Sequence, residues 1–100
     1  MVVVEVCDHC PDPGACLARF RSLLAEKGYG TSFETALAKY PGSTHLHIRK
    51  IGESRGTLEY TMLPSERRSW LNWHGNRYQP WIDGAMNELV EGMARSFQKN

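Results

Sequence analysis

Hydrophobic positions along the chain switch between two periods, and each switch marks an element. Val2, Val3, Val4 and Val6 form a short β-branched run that predicts an interior strand. From Pro13 onward Cys16, Leu17, Phe20, Leu23 and Leu24 fall on one helical stripe, with Arg19, Arg21, Glu26 and Lys27 mostly off it. Asp12 can cap this segment, Pro13 suits the first helical position and Gly28 is a natural stop, so a helix is expected over 13–28.

The next stretch, "TSFETALAKYPG", supports two readings. Thr31 and Glu34 fit a capping box, and Phe33, Ala36, Leu37 and Tyr40 fit a helical face. Phe33, Thr35 and Leu37 also alternate as in a strand. The strand is preferred, because it would complete a β-α-β unit with the first strand and give the helix a sheet to cover. Pro41-Gly42 ends the element in either case.

From residue 44 strict alternation takes over. Leu46 and Ile48 oppose His45, His47 and Arg49; Leu58, Tyr60 and Met62 oppose Thr57, Glu59 and Thr61; Ser69, Leu71 and Trp73 oppose Trp70, Asn72 and His74. Two short turns, "ESRG" and "PSER", separate these segments, which predicts an antiparallel meander. After the loop "GNRYQ", Pro80 opens a last helix with a stripe of Ile82, Ala85, Met86, Leu89, Met93 and Phe97. Gly84 and Gly92 either weaken that helix or let it approach a neighbour closely. The order β-α-(β)-β-β-β-α predicts an α+β two-layer sandwich. Its mainly antiparallel sheet has four to five strands, and both helices lie on one face of a single domain spanning 1–100.

Composition narrows the function classes. With 41% hydrophobic and 23% charged residues and a net charge of +1, the chain reads as an ordinary soluble domain, without a general pull on nucleic acid or membrane. No basic leader or bilayer-length apolar run is present, so a cytoplasmic location is expected. The three cysteines, an odd number, all lie in "VCDHCPDPGAC". Such a cluster suits metal or redox chemistry better than a disulfide framework.

In that loop Cys7, Cys10 and Cys16 can converge on one ion, zinc or another thiophilic metal, with His9 as a fourth ligand and His74 or His45 as substitutes from the sheet. The four residues "CDHC" resemble the C-x-H-C active site of thioredoxin-like disulfide oxidoreductases. The resemblance implies that Cys7 attacks and Cys10 resolves in thiol–disulfide exchange. In that family the second cysteine opens the helix, whereas here Pro11, Asp12, Pro13 and Gly14 intervene. Cys7 at a strand end and Cys16 in a helical stripe would equally pack as small hydrophobes.

A second candidate lies in "ERRSWLNWHGNRYQPW", which holds all three tryptophans. Trp70, with Arg67, Arg68, His74 and Arg77, forms a face suited to a protein partner or a second copy of the chain, while Trp73 and Trp81 are expected in the core. His45 and His47 stand two apart on one strand face, a spacing that can chelate a metal, and Glu59 reaches them only in the right register. That pair is expected to be exposed, and no catalytic triad or nucleotide-binding motif is present. The leading expectation is therefore a binding or accessory domain with a metal in the cysteine loop. A thiol redox protein and a noncatalytic interaction or homodimer module are the alternatives.

Overall fold

The fold is known from a computed structural model, which describes residues 2–7 and 9–96. Phe97, expected to end the last helical stripe, and Asp8 of the "CDHC" stretch lie outside the described residues. The elements are β1 (Val2–Cys7), α1 (Pro13–Lys27), β2 (Tyr29–Thr35), β3 (Thr44–Lys50), β4 (Leu58–Leu63), β5 (Arg68–Trp73) and α2 (Trp81–Ser96). The strands form one antiparallel sheet in the order β1-β5-β4-β3-β2. The predicted α+β class and element order are those observed. No helix among the described residues is long and apolar enough to cross a membrane.

Local chemistry explains the boundaries. The Asp12 side chain accepts from the Ala15 N–H at 3.1 Å, and Gly28 ends α1 in the left-handed region at φ 84°, its N–H bonded to the Leu24 carbonyl. A one-turn helix at Pro64–Glu66 links β4 to β5, and Arg67 follows it at φ 54°.

Two sequence expectations change. The valine run is an edge strand, not an interior one: β1 pairs only with β5, and Val3 is 52% exposed. Its bulk is needed on one side only, where Val4 and Val6 pack against the core. The ambiguous stretch is a strand as far as Thr35 and then a loop. The four successive antiparallel pairings make β2 run parallel to β1, but α1 carries the chain across the sheet to its opposite edge.

The helix-side face of the sheet, built on Leu46, Ile48, Leu58, Tyr60, Met62 and Leu71, joins Phe20, Leu23, Ile82, Leu89 and Met93 in one core. Phe20 stacks on Tyr60 with ring centroids 3.6 Å apart. Trp81 is buried and Trp73 packs against the core, as expected. A Cβ on Gly92 would lie 2.5 Å from Leu23 Cδ2, so this glycine lets α2 approach α1 closely, whereas one on Gly84 would meet nothing within 4 Å.

Two outcomes follow from this core. Gly92→Ala should cost about 1–3 kcal/mol of stability, because the added methyl would overlap the side chain of the buried Leu23. Gly84→Ala should add about 0.5–1 kcal/mol through helix propensity alone; urea unfolding of both variants checks the contrast. Burial pushes the Tyr60 hydroxyl up to about 12, with Cys7 adding to the shift and Ser69 opposing it. An unfolded tyrosine ionises near ~10. The contribution of Tyr60 is therefore intact below that value and lost as pH rises toward about 12. The urea midpoint should fall across this alkaline window, less steeply in Tyr60→Phe.

Candidate functional site

The sheet face away from the helices carries the polar half of each alternating strand. Register aligns these side chains in two rows across the strands. One row runs Val3, Asn72, Glu59, His47 and Phe33; the other runs Glu5, Trp70, Thr61, His45 and Thr35. Every residue of the central strand β4 is buried, on this face as well as on the helix side. Glu59 is therefore a carboxylate held 7% exposed in the middle of a sheet, an arrangement that requires partners.

The partners are histidines. His45 Nε2 lies 3.0 Å and His47 Nε2 3.7 Å from Glu59 Oε1, and His74 Nε2 lies 3.4 Å from Oε2. His45 Nδ1 is 2.8 Å from the hydroxyl of Thr61, which is 1% exposed. With Nε2–H donating to the carboxylate, Nδ1 accepts from that hydroxyl. A hydroxyl can also accept, so it would tolerate the other tautomer. Burial holds His47 below the ordinary histidine value; Glu59 pulls the other way, while His45, Arg77 and His74 act with burial. A neutral imidazole has a lone pair available for a metal.

The loop after β2 forms a wall beside this cluster. The Leu37 N–H donates to Ser43 Oγ and the Tyr40 N–H to the Leu37 carbonyl, which folds 37–43 into a tight turn. Tyr40 meets Trp70 edge-on at 5.6 Å. A cleft of about 380 Å³ opens there, bounded by Tyr40, Trp70, Lys39 and Thr61 and reaching His45 and Glu59. A second cleft of about 360 Å³ lies at the other end of Glu59, between His47, His74 and Arg77.

The cysteine loop is elsewhere, at the far end of β1. The three sulfurs lie within 4.8 Å of one another, but Cys10 and Cys16 are joined as a disulfide, and Cys7 alone is a free thiol. The expectation that this cluster would avoid a disulfide is corrected. The Asp12 cap starts α1 so that Cys16 falls in its first turn, and the Cys10 N–H donates to the Arg67 carbonyl, holding the loop against the β4–β5 turn. His9 is exposed and is not part of the sulfur group. Neither His45 nor His74 substitutes for it, since both sit on Glu59.

The proposed partner face divides as well. Arg68 is engaged by Glu5, at 2.8 Å and 3.3 Å, and lies over the Trp70 ring. Arg67 is exposed at the turn, while His74 and Arg77 border the histidine cluster. His45, expected to be exposed, is only 6% so. Glu59 had a sequence signal: it is the only charged residue in "TLEYTML", and the strand pairing sets it opposite His47. The chain matches no protein-family model, no curated protein and no solved structure.

Proposed function

We propose that the protein binds a divalent transition metal ion through His45, His47 and Glu59 on its open sheet face, and uses that ion to hold a small ligand in the adjoining cleft. The observation that carries this is the convergence of the three side chains. One ligand atom from each lies within 4.8 Å of the others, on a nearly buried carboxylate. Donors bound at zinc distances to one tetrahedral ion sit about 3.3 Å apart. The separations of 3.0 Å and 3.7 Å from Glu59 Oε1 to the two histidines bracket that value.

Two histidines and one carboxylate form the donor set of metal sites that keep a coordination position open. Here the cleft reaches His45 and Glu59, so a ligand seated against Tyr40 and Trp70 has access to that position. Lys39 favours an anionic group on such a ligand. Thr61 and His74 would act from behind, the hydroxyl orienting His45 and the imidazole holding the second oxygen of Glu59. In this reading Trp70 serves the cleft rather than a homodimer contact or a protein partner.

The cysteine loop is a weaker metal site. Its disulfide removes two of the three thiolates, and reduction would be needed to offer Cys7, Cys10 and Cys16 together.

Zinc titration of the metal-stripped, oxidised protein by calorimetry should give one saturable equivalent. His45→Ala, His47→Ala and Glu59→Gln should each weaken binding at least tenfold, about 1.4 kcal/mol, and Cys7→Ser should leave it unchanged. Zinc at a hundredfold excess over its Kd should add about 2.7 kcal/mol to stability. Absence of saturable binding, or loss of binding in Cys7→Ser with the histidine variants unaffected, would overturn the proposal.

A further inference from the structure

The cysteine loop contains chemistry that the metal site does not use. Alternation along β1 would turn Cys7 to the open face with Val3 and Glu5. The register shifts between Glu5 and Cys7, however, so that Glu5 pairs with Trp70 and Cys7 with Ser69. This bulge re-aims Cys7 to the helix side, where it packs against the core beside the Cys10–Cys16 disulfide. Cys10 and Cys16 are fully buried, whereas Cys7 is only partly so. The free thiol therefore stands between solvent and a disulfide that solvent does not reach.

Two hydroxyls back the cluster. Ser69 Oγ and Tyr60 Oη are buried, and neither makes a hydrogen bond of normal geometry. Ser69 is the register partner of Cys7, and Tyr60 is near enough to feel its charge. Ser69 and Tyr60 lie close to each other, and sulfur anions forming beside these buried hydroxyls would supply acceptors.

We infer that Cys7 is the relay thiol of an internal thiol–disulfide exchange, through which the buried Cys10–Cys16 bond oxidises an external dithiol. Cys7 gives up its proton to solvent, and its thiolate attacks Cys10 Sγ. A Cys7–Cys10 bond forms, the Cys10–Cys16 bond breaks, and Cys16 leaves as a thiolate that then takes up a proton. Cys16 is the better leaving group, because it sits in the first turn of α1, where the helix N-terminus stabilises an anion. This step is an isomerisation with no net oxidation.

The transferred disulfide now includes the partly exposed Cys7. One thiolate of the external dithiol attacks Cys7 Sγ and displaces Cys10 as a thiolate. The second thiol of the substrate closes on the mixed disulfide and releases Cys7. The substrate leaves as a disulfide, two electrons enter the cysteine loop, and an external disulfide such as oxidised glutathione restores the starting state. The roles differ from those implied by the C-x-H-C resemblance: the resting bond joins Cys10 to Cys16, and Cys7 mediates access to it.

The test uses the full-length oxidised chain in chelator, which keeps it independent of metal binding. Dithiothreitol is the probe dithiol, and opening of the disulfide is followed by alkylation and mass spectrometry. Cys7→Ser should slow opening at least tenfold, with unchanged circular dichroism. In the wild-type protein without reductant, rapid alkylation at mildly alkaline pH should label a fraction of chains at Cys16 instead of Cys7. Fragment ions distinguish the two positions, so this readout needs no variant. Equal opening rates in wild type and Cys7→Ser, or labelling confined to Cys7, would overturn the inference.

Discussion

A carboxylate in the middle of a sheet must be satisfied by its neighbours in that sheet. Glu59 sits on the central strand β4 and is only 7% exposed, and the strands on either side answer with side chains. β3 supplies His45 and His47, and the end of β5 supplies His74. Thr61, one alternation along β4, holds the first of these from its other nitrogen. Replacing Glu59 by an apolar residue would leave the histidines without the charge that draws them together, and replacing the histidines would leave a buried charge unpaired. The register of three strands is thus tied to one ionisable group.

The remaining architecture keeps the two faces of the sheet separate. The helices and their close approach at Gly92 supply an apolar layer that needs no help from the polar face. The open face is free to collect groups that would be costly inside a helix-packed core, and the 37–43 turn shields part of it without closing it. The cysteine loop joins the two layers, with its disulfide buried in the core between them. It is anchored at one end by β1 and at the other by the cap of α1, and the Arg67 carbonyl holds its middle.

The fold was legible because its periodicities are clean. Alternation from residue 44 onward placed nearly every core residue of β3, β4 and β5 on the side where it lies, and the Asp12, Pro13 and Gly28 signals bounded α1. The edge position of β1 was not legible, since a valine run reports burial on one face as strongly as on two. The histidine cluster was half legible. Spacing put His45 and His47 together, but only the pairing of His47 with Glu59 makes a site, and pairing depends on turn geometry that composition does not encode. The bulge that turns Cys7 inward leaves no mark in the alternation of "VVVEVC", so the sulfur arrangement could not be read from spacing.

The sheet order also has a consequence for assembly. Strands β2 to β5 are consecutive in sequence and adjacent in space, so they can zip together hairpin by hairpin. Strand β1 precedes the other four strands in sequence but pairs only with β5, Val4 lying opposite Leu71. Its partner is therefore absent until β5 has been synthesised. Closing that long loop carries the largest entropic cost of the four strand pairings. The same pairing sets Cys7 against Ser69, so the geometry of the cysteine loop depends on the contact most distant in sequence within the sheet.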